Sequence, residues 1–119
     1  MLVFSPGGVG TTLLIQELGR YVRVNRPHDR DGLKHLPTPR NLPARVKVVF
    51  VTGAFDSVCQ SLERRGFLPG QLAKLGSPLG PLLPKARARA ALRALVKRQK
   101  QAWSRLPPSQ ILFVDYDEL

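Results

Sequence analysis

The chain opens on three apolar residues, Leu2, Val3 and Phe4, that run directly into Ser5-Pro6-Gly7-Gly8. A short apolar run stopped by a glycine turn predicts a buried strand. Over residues 12–22, Leu14, Leu18, Tyr21 and Val22 recur at helical spacing, which predicts a helix with one apolar face. Residues 25–44 are polar and hold Pro27, Pro37, Pro39 and Pro43, so they predict a long irregular connection. The run Val46-Lys47-Val48-Val49-Phe50-Val51-Thr52 is β-branched and nearly all apolar. It predicts the strongest strand of the chain, buried on both faces. A helix follows over residues 56–66, lined by Phe55, Val58, Cys59 and Leu62 and stopped by Gly66. Residues 68–84, rich in proline and glycine, predict a loop. Residues 85–106 predict a long helix with Leu92, Leu95, Val96, Trp103 and Leu106 on one stripe, ended by Pro107 and Pro108. Arg89 and Arg93 avoid that stripe, so their charge is expected to be dispensable for folding. A last apolar strand, 111–114, leads into Asp115-Tyr116-Asp117-Glu118-Leu119.

Strand, helix, strand, helix, helix, strand is the order that results. Buried strands alternating with helices predict an α/β fold, a parallel sheet with flanking helices and both faces covered. Ligands of such sheets sit at the carboxyl ends of strands. Two segments share that address, residues 5–12 and 52–61. A length of 119 residues fits a single domain, 1–119, with a modest core. No apolar run approaches the roughly 20 residues that a bilayer needs. No basic start precedes a long apolar stretch, so a secretory signal is not expected. Cys59 is the one cysteine, which excludes an internal disulfide and a cysteine-built zinc site. A cytoplasmic, metal-free protein is expected.

Charge adds a preference for anions. Lys and Arg number 19 against 8 Asp and Glu, for a formal net charge of +11. Nucleotides, nucleic acid, sulfated substrates and anionic membranes are all attracted to such a chain. Eight of the basic residues fall in 85–106, with no acid among them. That helix is either a solvated cover for the core or a nonspecific nucleic-acid surface. Trp103 is its one aromatic residue and lies on the apolar stripe, which speaks against a stacking platform for single strands. Nucleic acid is therefore a possible partner but not the favoured one.

Candidate chemistry centres on Ser5-Pro6-Gly7-Gly8-Val9-Gly10-Thr11-Thr12, set between a strand and a helix. Glycines let backbone amides approach a phosphate closely. The first amides of the helix point outward without partners, and the helix dipole adds positive potential. Gly7, Gly8, Val9, Gly10, Thr11 and Thr12 are thus candidate ligands of an anion, with the threonines offering hydroxyl donors as well. A bulky residue at Gly10 is expected to abolish that binding and spare the fold. The nucleoside-triphosphatase form of the loop, GxxxxGK[ST], needs a lysine where this chain has Thr11. Ordinary ATP or GTP hydrolysis is disfavoured accordingly.

The loop resembles the phosphosulfate-binding loop of sulfotransferases, which reads PKSGTTW after a first strand. Pro6, Gly7-Gly8, Val9, Gly10, Thr11, Thr12 and Leu13 match it here. Leu33-Lys34-His35-Leu36-Pro37 is similar to the family's KTHLP. Leu42-Pro43 followed by Lys47-Val48-Val49-Phe50-Val51 is similar to the strand that leads into the family's 3′-phosphate site. The ending ILFVDYDEL is similar to a family strand that closes in YEDL, and Trp103 also has a counterpart. The resemblance implies a P-loop nucleotide-binding fold and the donor 3′-phosphoadenosine 5′-phosphosulfate, PAPS. It implies sulfuryl transfer to a hydroxyl or amine of a small-molecule or glycan acceptor. His35 would be the catalytic base, Lys34 a contact to a sulfuryl or phosphoryl oxygen, and Ser61 a ligand of the 3′-phosphate.

Departures from the family pattern are equally concrete. Its loop lysine is replaced by glycine near Gly8, and its adenine-stacking tryptophan by Leu13. The arginine that holds the 3′-phosphate falls at Thr52, with Arg64 or Arg65 as candidate replacements. The family's later RKG segment has no counterpart, so the resemblance implies either a fragment, incomplete at its C-terminus, or a reduced relative. Two other readings stay open: a catalytically inactive anion- or nucleotide-binding relative, and a small basic nucleic-acid-binding protein.

Overall fold

In the computed structural model of the chain, residues 1–28, 32–77 and 80–118 are described. Strands β1 (Leu2–Phe4), β2 (Val48–Thr52) and β3 (Ile111–Asp115) form one parallel sheet in the order β1-β2-β3. Its register sets Phe4 beside Phe50, Phe50 beside Phe113 and Thr52 beside Asp115. Parallel neighbours need crossover connections. The first carries α1 (Thr11–Leu18), and the second carries α2 (Phe55–Arg64), α3 (Leu68–Lys74) and α4 (Lys85–Trp103). The chain is thus an α/β protein with a three-stranded parallel sheet and flanking helices. Among the described residues, no helix is long and apolar enough to cross a membrane.

Side chains alternate across a strand, and this divides the core in two. Val3, Val49 and Val51 pack with Ile15 of α1, Leu62 of α2, Leu72 of α3 and Leu92 of α4. On the opposite face Phe4, Val48 and Phe50 surround Trp103. Here the cover is not a second layer of helices. Leu33, Leu36 and Leu42, from the irregular connection, close the cluster with Leu106. Prolines between those leucines forbid a helix but leave the leucines free to cover the sheet. The Trp103 ring lies 4.0 Å from Phe4 and 6.2 Å from Phe50, centroid to centroid. Each such fully buried side chain stabilises the fold by roughly 1.5–3 kcal/mol.

Two elements differ from the expectation. Helix α1 ends at Leu18, where the amides of Tyr21 and Val22 both bond to the Leu18 carbonyl. Tyr21 is 81% exposed, so the apolar spacing continued past the helix without a surface to bury against. The predicted loop at 68–84 contains α3. Pro69 falls in its first turn, where a missing N–H removes no helical bond, and Leu68 and Leu72 are buried beneath it. The expected stop at Gly66 is present: Gly66 has φ 68°, and the Phe67 amide reaches back to the Leu62 carbonyl at 2.8 Å. The outer edge of β1 is closed by one side chain. Asn25 accepts from the Val3 amide at 2.8 Å and donates to the Val3 carbonyl at 2.9 Å, taking the place of a neighbouring strand.

Candidate anion-binding site

Ser5 ends β1 and organises the turn that follows. Its Oγ accepts from the Thr11 hydroxyl at 2.6 Å and from the Gly7 amide at 3.1 Å, tying the end of the strand to the start of α1. Between them Gly7, Gly8 and Gly10 all take positive φ, at 98°, 71° and 66°. Two of these glycines are also fixed by what presses on them. A Cβ on Gly7 would lie 2.7 Å from the Gln71 carboxamide, and one on Gly10 would run into the Tyr116 ring. Val9 turns its side chain into the core and gives the site only its backbone.

This geometry leaves a row of directed donors. The Leu14 amide, bonded to the Gly10 carbonyl, is the first to join the helical ladder. The amides of residues 8–13 have no acceptor among the described residues. Six consecutive N–H groups at the positive end of a helix form a candidate site for an oxyanion.

Beside the loop lies a cavity of about 660 Å³. Lys34 and His35 line it together with Gly7, Gly8, Gly10, Thr11 and Thr12. Lys34 is 8% exposed, and its Nζ donates to the Thr12 hydroxyl at 2.8 Å and to the Pro27 carbonyl at 2.7 Å. A cation therefore stands at the first turn of α1, supplied by a segment outside the loop. His35 Nδ1 lies 3.0 Å from the Ser5 carbonyl, which can only accept, and 3.4 Å from the Ser5 hydroxyl. The shorter bond puts the proton on Nδ1 and, in the neutral ring, the lone pair on Nε2. Neither threonine offers its hydroxyl hydrogen to the cavity: Thr11 donates to Ser5 and Thr12 to the Pro27 carbonyl. The donors left over at the loop are therefore its amides and not the expected hydroxyls.

The opposite wall comes from the turn between α2 and α3, with Arg65, Phe67, Gln71 and Lys74. Ser61 does not line the cavity. Its hydroxyl and carbonyl accept from Arg65 Nη2 at 3.1 Å and Nε at 3.2 Å, so its visible work is to hold Arg65. Arg64 lies elsewhere, beside Ser57 and Gln60. Thr52, at the family's arginine position, donates to the Val114 carbonyl at 3.4 Å. Cys59 is wholly buried, and burial pushes its thiol pKa up, which keeps it a core residue and not a nucleophile.

Two glutamines that support the loop were missed in the sequence. Gln71 Nε2 donates to the Pro6 carbonyl at 2.5 Å, and Gln99 Nε2 donates to the carbonyls of Ser5 and Leu36 at 3.1 and 2.9 Å. Gln99 had a legible signal, a polar residue on the apolar stripe of α4 four residues before Trp103. Gln71 was hidden in a stretch read as loop. No protein-family model, curated protein or solved structure matches the chain.

Proposed function

We propose that the chain is a P-loop protein of sulfotransferase-like type, which holds the 5′ phosphosulfate end of PAPS on residues 7–13. The observation that carries the reading is the run of amides at residues 8–13 without acceptors among the described residues, on a loop whose Gly8, Gly10, Thr11 and Thr12 line a cavity shared with Lys34 and His35. PAPS would supply an electrophilic sulfuryl group on a phosphate leaving group. The amides bind its oxygens, and Lys34 contributes the positive charge that the loop itself lacks. His35 Nε2 accepts the proton of an acceptor hydroxyl or amine, with its ring oriented by the Ser5 carbonyl. Arg65 is the guanidinium available to a second phosphate, in place of the family's arginine.

The test is a thermal-shift series with adenosine 3′,5′-bisphosphate, magnesium ATP and sulfate. Adenosine 3′,5′-bisphosphate is expected to stabilise most, since ligand at 100 times its Kd adds about 2.7 kcal/mol. Equal or greater stabilisation by magnesium ATP overturns the sulfotransferase-like reading. Binding of the bisphosphate without sulfuryl transfer from PAPS leaves an inactive anion-binding relative. Salt-dependent duplex binding that ignores loop substitutions points instead to the nucleic-acid reading.

A further inference from the structure

A cavity of about 660 Å³ is far larger than one oxyanion requires and falls among the ~300–1,000 Å³ pockets that take whole small molecules. Its volume beyond the loop is bounded by the α2–α3 turn, where the wall changes character. Leu62 and Phe67 are apolar, and Gly66 and Gly70 add no side chain. Phe67 is 56% exposed although its amide is fixed to the Leu62 carbonyl. The Arg65 guanidinium lies over the Phe67 ring, 5.2 Å from its centroid, and is itself held by Ser61. Nothing comes within 4 Å of where a Cβ would stand on Gly66 or Gly70, the two glycines that line the cavity beside Phe67.

We propose that Phe67, with Arg65 stacked on it, is a platform for a planar ring carried by a ligand whose anion the loop holds. The proposal rests on the anion-binding reading of residues 7–13 and adds to it the chemical class of the ligand. That class is an anionic group joined to an aromatic or heteroaromatic ring. A flat ring gains dispersion contacts on an exposed phenyl face that water solvates poorly, and the neighbouring guanidinium attracts both the ring's π-face and a second negative charge. Two ligands share this chemistry, a nucleotide through its base and an aryl sulfate through its phenyl ring.

Titration calorimetry on the wild type, Phe67→Ala and Phe67→Trp tests it, with pyrophosphate, adenosine 3′,5′-bisphosphate and 4-nitrophenyl sulfate as probes. Phe67→Ala is expected to weaken at least one ring-bearing probe by about fivefold or more, the lower end of base–aromatic stacking. Pyrophosphate should stay within about twofold, and Phe67→Trp should restore the lost affinity. Loss confined to the bisphosphate identifies the ring as the nucleoside base, and loss confined to the aryl sulfate identifies an aryl acceptor. Undiminished affinity for both ring-bearing probes overturns the platform while leaving the loop reading intact. A matching loss of pyrophosphate affinity in Phe67→Ala also overturns it, since Phe67 would then only shape the cavity. A wild type that binds none of the three probes overturns the loop reading and the platform with it.

Discussion

Residues 5–12 carry no lysine or arginine, whereas α4 carries seven in 19 residues, yet the loop is where donors lack acceptors. On α4 four of the seven charges meet groups of the protein itself. Arg89 donates Nε and Nη2 to the two Glu63 carboxylate oxygens at 2.6 and 2.8 Å, and Lys85 lies 3.6 Å from the same carboxylate. Arg93 stands over the Phe55 ring at 4.1 Å, and Lys100 is 5.9 Å from the centre of Phe113. Cationic side chains raise the anion concentration near the surface that carries them, within the ~10 Å over which salt screens a charge. A binding site needs donors fixed in direction, and the backbone of the loop supplies those without any formal charge.

The contrast can be broken most forcefully from inside α4. Leu92 is fully buried, and Leu92→Ala should cost about 2–5 kcal/mol in chemical denaturation. Pyrophosphate affinity, measured where the variant is still folded, should not change. Gly10→Val should do the reverse and more. It should abolish anion binding in calorimetry, and the positive φ alone should cost about 1–2 kcal/mol of stability. The expectation that the fold is spared does not survive, because Tyr116 occupies the space that a side chain at Gly10 needs. Thr12→Val removes the oxygen that receives Lys34 Nζ without touching the turn. The lost bond to a charged group should cost on the order of 1–3 kcal/mol of stability, and anion affinity should fall as well, because Lys34 Nζ loses the partner that holds it at the first turn of α1.

Smaller effects sharpen the comparison on the surface of α4. Arg89→Glu sets a carboxylate against Glu63 and should lower the melting temperature, contrary to the expectation that Arg89 is dispensable. Arg98→Glu, on an exposed position, should leave the melting temperature unchanged. The pH dependence has a defined sign. The Arg89 hydrogen bonds hold the Glu63 carboxyl at about 2, below its ordinary 4.5. The pair therefore contributes in full above pH 4.5 and is lost as the pH falls toward 2. Glu63→Gln should flatten the fall in stability between those values, and equal acid titrations of variant and wild type would remove the pair from the account.

Much of the framework was legible because it is written at short range. Short apolar runs marked all three strands, a three- and four-residue repeat marked α2 and α4, and the glycines with their flanking strand and helix marked the loop. Helix α3 was not legible, because Pro69 and Gly70 look the same in a first helical turn as in a loop. Where the apolar repeat ran on through Tyr21 and Val22, it overstated α1. Spacing along the chain cannot tell whether a surface exists to bury those side chains.

What the sequence alone determined, then, is the three strands, α2, α4 and the glycine loop that opens α1. Only the tertiary structure decided what meets them. Lys34 reaches Thr12 across 22 positions, Gln71 reaches Pro6 across 65, and Gln99 reaches Ser5 across 94. Tyr116 closes on Gly10 from the end of the last strand, and the leucines of the irregular connection join Trp103, at the end of α4, in covering the second face of the sheet. Hydrophobic periodicity fixes which way a side chain points from its own element. The partner it finds depends on how the crossovers bring distant elements to the same end of the sheet, and no repeat in the sequence carries that information.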